Sequence, residues 1–311
     1  MSARSAAPRS LAVSIEAGGG EKSLTRPAVD LVARRRREHQ LDRLKVLGLR
    51  LLVAVVILGG WQLGAQVSDC NTPGHLCVVD KFFWSQPSDI GQKLWTWITQ
   101  GTDLGPIWDQ VVVTMEETVG GFIVGSILGV IFGVVLGRSR LLADVMGPYI
   151  KAANAIPRVV VGALFAISLG LDIKAKIATA AILVFFVVFF NAFQGVREVD
   201  RNLIANARIL GARDRQLTTE IIIPSALSWI IASLHTSFGL ALVGAVVGEL
   251  FGATQGLGEL IYAAKNNFDA AGVFAGMALL AAIALVAEAL ITALEDRLIR
   301  WRPPVASEMR I

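Results

Sequence analysis

Long apolar blocks constrain the fold of this chain more than any other feature. A helix needs about 20 such residues to cross ~30 Å of hydrocarbon. Blocks that reach or approach this length cover residues 46–66, 118–137, 159–171, 177–196, 221–248 and 270–287. The third is short, but "MGPYIKAANAIP" before it can extend the helix toward the cytoplasm, with a kink at Pro157. The sequence therefore predicts an all-α polytopic membrane protein with six transmembrane helices.

Arginine is distributed unevenly between the segments that join these blocks. Segments 67–110, 172–176 and 249–269 contain lysines but no arginine, whereas the alternate segments contain many arginines. By the positive-inside rule, the arginine-rich segments and both termini are cytoplasmic. The net charge of +4 comes from short basic runs next to apolar blocks, which indicates membrane orientation and not nucleic-acid binding.

The expected organisation follows from these spans. Residues 1–45 are predicted to be a disordered, basic cytoplasmic tail, because they contain little apolar periodicity. "LGAQVSDC" after the first block offers neither a small-x-small cleavage site nor a lipoprotein site, so 46–66 is predicted to be an uncleaved transmembrane helix. The remaining predicted segments are an outer loop with a short amphipathic helix (67–107), a five-helix core (108–296) and a cytoplasmic tail (297–311).

A regular series of glycines marks the second span. They recur every four residues, at Gly121, Gly125, Gly129, Gly133 and Gly137. Such a ridge lets another helix backbone approach closely. It predicts either tight packing within the subunit or a surface that slides when the conformation changes.

Both cysteines lie in the first outer loop, in "CNTPGHLC". The Pro-Gly turn between them can bring Cys70 and Cys77 together, and a periplasmic location would be oxidising. We predict a disulfide, with two free thiols as the alternative. His75 is the one additional ligand nearby, so no metal site is predicted.

The cytoplasmic loop 197–224 is longer than ordinary connections and predicts two short helices. "REVDRNLIANARIL" places Leu203, Ala207 and Leu210 on one face. Gly211 is expected to end that helix in a left-handed conformation, and Asp214 to cap the second. Pro224 then falls at the membrane boundary.

Polar residues inside spans are candidates for the solute pathway, because charges in a membrane are costly. The candidates are Arg158, Asn191, Glu117 and Glu249. The alternatives are a snorkelling or cytoplasm-facing Arg158, and interhelical hydrogen bonds or contact with a docked binding protein for the two glutamates.

The 197–224 loop resembles the EAA loop of ABC importer permeases, which reads Glu-Ala-Ala, three residues, Gly, nine residues, Ile-x-Leu-Pro. Matching positions are Ala207, Gly211, Ile221 and Pro224, with Ile223 in place of leucine. Ala205 and Asn206 replace the glutamate and the first alanine. Segments such as "VGGFIVGSILGVIFGVVLGRSR" and "GAVVGELFGATQGLGELI" also resemble permeases for nitrate, sulfonate and taurine, so the resemblance runs from about residue 95 to residue 301.

The resemblance implies a type I ABC importer permease fold in a bacterial cytoplasmic (inner) membrane, where the lipid bilayer surrounds the chain. It implies a second permease subunit, most simply a homodimer, a cytoplasmic ABC ATPase dimer and an extracytoplasmic solute-binding protein. The residues expected to couple to the ATPase are Leu203, Ala205, Asn206, Ala207, Leu210, Gly211, Ala212, Asp214, Ile221, Ile223 and Pro224.

The energy source is expected on another polypeptide. The chain contains no G-x-x-x-x-G-K-[ST] phosphate-binding motif. ATP and Mg²⁺ are therefore expected on the partner ATPase, and no cofactor is expected in this chain. The chain itself is expected not to be an enzyme. The solute is expected to be a small anion such as a sulfonate, nitrate or carboxylate. The alternative function is an ion-coupled secondary transporter, which would require carboxylates near the bilayer midplane.

Overall fold

The structure is a computed structural model that describes residues 26–67 and 80–298. Cys70, Cys77, the first 25 residues and the residues after 298 lie outside the described part, so the disulfide and the two distal tails stay predictions. All of the described secondary structure is helical apart from one isolated bridge between Thr102 and Gly105.

The described helices are, in order, α1 (Arg26–Val67), α2 (Lys81–Trp84), α3 (Pro87–Gln100), α4 (Ile107–Arg138), α5 (Arg140–Ala155), α6 (Arg158–Leu169), α7 (Ile173–Arg197), α8 (Arg201–Ile209), α9 (Asp214–Gln216), α10 (Ile223–Glu249), α11 (Leu257–Asn266) and α12 (Ala270–Leu298). A π-helical segment, Leu217–Ile222, joins α9 to α10. The chain forms two compact units, and the boundary between them falls after Gly60.

The first unit contributes most of α1, which begins at Arg26. The predicted tail through residue 45 is therefore helical from residue 26 onward. Its Ala, Leu, Arg, Glu and Lys residues have high helix propensity even without an apolar face. The apolar span within α1 is Leu44–Val67, close to the predicted 46–66. The large apolar side chains from Leu44 to Leu58 are exposed in the isolated chain, as expected of a helix that faces lipid.

Five of the described helical segments are long and apolar enough to cross a membrane: Leu44–Val67, Ile107–Arg138, Ile173–Arg197, Asp214–Glu249 and Ala270–Ala293. The kink predicted at Pro157 is present, but it divides the predicted helix into two, because α5 and α6 meet at an angle of 86°. Pro157 causes the break, since proline forces the preceding residue out of the α conformation. Ile156 accordingly has an extended backbone with ψ 131°. The count is six if the bent pair forms one span.

The centre of the second unit is the packing of α4 on α7 along the glycine ridge. A Cβ atom built on Gly125 would lie 2.5 Å from the carbonyl oxygen of Ala181, and one built on Gly133 would lie 2.7 Å from that of Phe189. The ridge therefore carries tight packing within the subunit, the first of the two predicted roles. Helix α10 packs on the next face of α7, where Gly244 lies against the backbone of Ala180.

The outer segment contains the predicted amphipathic helix, which is α3. Its buried residues, Ile90 and Trp97, join an apolar cluster with Ile107, Leu257 and Leu260. The Lys93 ammonium also forms a 2.7 Å ion pair with Asp269, the residue before α12. Helix α3 therefore lies on the outer ends of α4, α11 and α12.

Candidate functional site

The 197–224 loop folds into a hairpin at the cytoplasmic ends of α7 and α10. Asp200 caps α8, because its carboxylate accepts the N–H of Asn202 at 2.8 Å. Gly211 follows α8 with φ +86°, the left-handed conformation that glycine favours. The N–H of Ala212 donates to the carbonyl of Ala207 at 3.0 Å, which closes the helix end. The prediction of a helix that ends at Gly211 is confirmed.

The apolar face of α8 differs from the prediction. Ile204 packs against the cytoplasmic core cluster, which includes Val199 and Ile222, and Ala207 is half-buried. Leu203 is 48% exposed and Leu210 is 87% exposed, so neither lies on the packed face. The helix is too short for the predicted face to extend to Leu210, which lies beyond its last residue.

Exposed apolar residues gather at the tip of this hairpin. Ile209 is 83% exposed and Leu210 is 87% exposed. Ala205 and Asn206, which replace the first two residues of the motif, are also exposed on α8. Ile209 and Leu210 thus form a small exposed apolar patch beside the Gly211 turn, which we call the hairpin tip.

The second half of the hairpin is continuous with the span that follows. The predicted cap is wrong, because Arg213 precedes the helix and its N–H donates to Gln216 Oε1 at 2.9 Å. Asp214 is instead the first helical residue, with its carboxylate 3.8 Å from Arg208 Nη2. The chain stays helical through the π segment to Glu249, and Pro224 lies in the first turn of α10.

Ile221 and Ile223, which occupy positions of the EAA-type motif, lie on the continuous helical segment Asp214–Glu249. Ile221 is partly buried against the cytoplasmic core cluster, and Ile223 is 36% exposed. Helix α10 can therefore follow a movement of the hairpin without a flexible joint between them.

A second group of polar residues is buried at the outer ends of α4, α7 and α10. The N–H groups of Gly256, Leu257 and Gly258 lie at the start of α11, and each donates a hydrogen bond to a side chain. Gly256 donates to Gln110 Oε1 at 2.8 Å and Leu257 to Thr114 Oγ1 at 2.9 Å. Gly258 donates to Glu249 Oε2 at 2.5 Å. We call Gln110, Thr114, Glu117, Lys176 and Glu249 the outer polar cluster.

The charged groups of the outer polar cluster are held inside the subunit, Glu117 by an ion pair and Glu249 by hydrogen bonds. Lys176 Nζ lies 3.0 Å from Glu117 Oε1, and their side chains are 10% and 0% exposed. Thr114 donates to Glu249 Oε1 at 2.6 Å, and Glu249 is fully buried. Both glutamates, predicted as candidates for the solute pathway, thus make contacts within one chain, which favours the alternative of interhelical bonding.

The other two pathway candidates are also held by local contacts. Arg158 Nη2 donates to Asn154 Oδ1 at 2.6 Å, and the guanidinium lies 5.4 Å from the ring centre of Phe186. Asn191 donates to the carbonyl of Val187 at 2.9 Å. Arg158 directly follows the Pro157 bend and is half-buried. Of the charged side chains predicted as pathway candidates, it is the one that is not fully buried, since Glu117 and Glu249 are enclosed by the protein.

Sequence reasoning missed Gln110 and Thr114, although they contribute two of the three acceptors for α11. The spacing of these polar residues could have predicted that they are buried. Gln110, Thr114 and Thr118 recur every four residues and precede Gly121 and Gly125, so they extend the ridge line of α4 toward the outer side. A polar extension of a packing ridge predicts buried side-chain hydrogen bonds.

Comparison with known proteins agrees with this geometry. Residues 125–300 match the family described as "Binding-protein-dependent transport system inner membrane component". The chain belongs to this family. It is therefore a permease, a multi-pass protein of the cytoplasmic membrane and not an enzyme, and ABC importers of this family work with an ATPase and a solute-binding protein. These findings give no support to a secondary transporter.

Three relatives show the range of the family. The permease is 33% identical to the riboflavin transport system permease protein RibX of Chloroflexus aurantiacus, over 88% of this chain and 97% of the relative. It is 31% identical to a putative aliphatic sulfonates transport permease protein SsuC of Bacillus subtilis, over 64% and 72%. It is 32% identical to the formylaminopyrimidine transport permease protein ThiX of Halalkalibacterium halodurans, over 50% and 62%.

Proposed function

We propose that two copies of this permease form the pathway of an importer for a small anion, and that each copy is moved by an ATPase docked on its 197–224 loop. ATP and Mg²⁺ are bound by the ATPase, and a solute-binding protein delivers the solute from outside. The hairpin geometry is the observation that supports this proposal. It combines exposed Ile209 and Leu210 with a second half that runs without a break into α10.

The proposed coupling depends on the stiffness of both halves of the hairpin. Ile204 anchors α8 to the core cluster, so the hairpin cannot swing freely. Closure of an ATPase dimer would push on the tip, and the continuous helix from Asp214 to Glu249 would carry that displacement across the membrane. Because Glu249 bonds to Thr114 and to the start of α11, the displacement would reach the outer ends of α4 and α11.

Gly211→Trp tests the coupling step. Gly211 has open space around it but a φ of +86°, so a side chain strains the turn and adds bulk at the docking surface. We expect the variant to remain in the membrane, to co-purify poorly with its ATPase and to lose solute uptake. Gly170→Trp is a matched control, because Gly170 also has open space and a left-handed φ of +83° but lies outside the loop. Normal uptake by Gly211→Trp would contradict the proposal.

The proposed solute class is supported by Arg158 and by the relatives. Their names refer to riboflavin, aliphatic sulfonates and formylaminopyrimidine, all small polar organic molecules. A half-buried cation at the Pro157 bend would favour the anionic members of such a range. A thermal-shift screen of the cognate binding protein identifies the solute class. Uptake of that solute should then fall with Arg158→Gln and recover with Arg158→Lys, and stabilisation by neutral solutes alone would contradict an anion.

The homodimer is tested by stoichiometry. One permease copy supplies one hairpin, so an importer with two ATPases needs a second permease. We expect native mass spectrometry of the complex, expressed with its neighbouring genes, to show two copies of this chain. A single copy together with a different permease would establish a heterodimer instead.

A further inference from the structure

An arginine-lined pocket opens beside the hairpin, at the cytoplasmic ends of α4 and α7. Its volume is about 210 Å³. The basic residues that line it are Arg138, Arg140, Arg197, Arg201 and Arg208. Asp214 is the one acidic residue among the described residues of its lining. Neither the hairpin tip, formed by Ile209 and Leu210, nor the outer polar cluster includes these arginines.

The positive charge of this pocket is only partly compensated. Arg208 lies 3.8 Å from the Asp214 carboxylate, and Arg138 donates to the Asp214 carbonyl at 3.4 Å. Arg140, Arg197 and Arg201 take part in no ion pair within the part of the chain that the structure describes. Because five guanidinium groups and one carboxylate line the pocket, it favours an anion that can accept several hydrogen bonds. The planar arrangement of N–H donors on an arginine matches the oxygen atoms of a phosphate.

An apolar groove of about 630 Å³ adjoins the pocket, between α5 and α7. Its lining is mostly apolar, with Leu136, Pro148, Phe189 and Phe193, and the charged residues Asp144 and Lys151 also line it. Arg197 lines both cavities, and its guanidinium lies 5.1 Å from the ring centre of Phe193. A ligand that fills both cavities therefore carries a phosphate-like head directly next to an apolar chain.

We propose that this composite site binds an anionic phospholipid, with its phosphate among the arginines and an acyl chain in the groove. A free phosphate would leave the groove unexplained, and so would an acidic surface of a partner protein. The site lies at the cytoplasmic ends of two spans, where headgroups of the inner leaflet are found. Ile204 and Leu217 of the hairpin also line the pocket, so a bound lipid connects the span ends to the 197–224 loop.

The test uses the purified importer complex, permease together with its ATPase. Native mass spectrometry measures the phosphatidylglycerol retained after reconstitution in vesicles that contain phosphatidylglycerol and phosphatidylcholine. In the double variant Arg140→Gln/Arg201→Gln, retention should fall by roughly tenfold or more, because each basic residue contributes to the binding of anionic lipid. The control is Arg213→Gln/Arg215→Gln, which removes the same charge from the neighbouring part of the hairpin but outside the pocket lining.

A second variant tests the groove. Gly147 lines the groove, and a Cβ atom added to it would have no neighbour within 4 Å, so Gly147→Phe adds a bulky ring at the groove wall without a clash at Cβ. We expect it to reduce lipid retention while all five arginines remain. Equal retention in the pocket variant and its control would overturn the proposal.

Two further outcomes separate the other sources of anionic charge. If inorganic phosphate displaces phosphatidylglycerol and Gly147→Phe has no effect, the ligand is a free anion and the lipid proposal is wrong. If the pocket variant loses the ATPase but keeps its lipid, the arginines contact the partner protein and the lipid proposal is again wrong. The coupling proposal is tested separately by Gly211→Trp, and Gly211 lines neither cavity. A failure of the lipid proposal can therefore be distinguished from a failure of the coupling proposal.

Discussion

The hydroxyl of Thr114 in α4 donates a 2.6 Å hydrogen bond to Glu249 Oε1 at the end of α10, across 135 positions of sequence. The same hydroxyl oxygen accepts the N–H of Leu257 at the start of α11. Glu249 in turn accepts the N–H of Gly258 with its second oxygen. One threonine thus connects three helices at the outer side of the permease.

Thr114→Val is expected to destabilise the permease. The change keeps the shape of the side chain but leaves the Leu257 N–H without its acceptor and Glu249 Oε1 without its donor, and each unsatisfied buried group costs about 1–3 kcal/mol. The midpoint of thermal unfolding in detergent measures the effect. Thr114→Ser should restore most of the stability.

Thr99→Val is the matched control for this substitution. Its hydroxyl donates to the carbonyl of Trp95 within the same helix and is exposed, so its loss should change the midpoint little. Equal midpoints for Thr114→Val and the original protein would show that the outer polar cluster does not hold these helices together.

Lys176→Met is expected to destabilise the permease more strongly. It leaves the Glu117 carboxylate, which is 0% exposed, without its 3.0 Å partner. Breaking a buried ion pair from one side costs about 3–5 kcal/mol. Lys174→Met is the control, because Lys174 is exposed two residues earlier on the same helix.

The double variant Glu117→Gln/Lys176→Met distinguishes a pair from two independent sites. Since the uncompensated charge is then gone, it should be more stable than Lys176→Met alone, and the two single effects should not add. Additive effects on the unfolding midpoint would refute the pairing.

The local sequence predicted those parts of the fold that depend on local chemistry. Apolar block length located five spanning segments, and the Pro157 kink and the left-handed Gly211 follow from backbone restrictions of single residues. The regular spacing of Gly125 and its equivalents predicted a close helix contact, but not that α7 is the partner. Partner identity depends on tertiary structure.

The parts that sequence reasoning missed depend on contacts between distant residues. Gln110 meets Gly256 across 146 positions, and nothing in either local segment indicates that partner. The packed face of α8 was assigned wrongly because a helix ending at Ile209 is too short for its periodicity to be distinctive. The bend at Pro157 was expected, but its angle of 86° depends on how α5 and α6 pack.

Gly129→Ala is expected to destabilise the contact between α4 and α7. A Cβ atom at this position would lie 2.9 Å from the Phe185 carbonyl oxygen and 2.8 Å from Val188 Cβ, so one helix must move. Gly239→Ala is the control, since it has open space and should be neutral or stabilising through helix propensity. The comparison of unfolding midpoints is decisive, and a loss of stability in the control alone would contradict the packing role of the ridge.

Asp269→Asn is expected to reveal a pH-dependent contact between α3 and α12. Burial by itself raises the pKa of Asp269, but the ion pair with Lys93 and the N–H of Gly272 outweigh it and hold the pKa below its usual value. A carboxylate with a lowered folded pKa stabilises the protein above its unfolded pKa of about 3.9 and loses this contribution as pH falls through the folded pKa. Asparagine can still cap α12, so the substitution removes mainly the charge.

The stability difference between the original permease and Asp269→Asn should therefore be constant near neutral pH and shrink as the pH falls below about 4. Unfolding midpoints in detergent between neutral and strongly acidic pH measure this difference. Lys93→Gln should reduce the stability at neutral pH as well, and adding it to Asp269→Asn should have little further effect, because the 2.7 Å ion pair is already lost. A difference that stays constant down to the lowest pH would show that the charge of Asp269 does not hold α3 on α12.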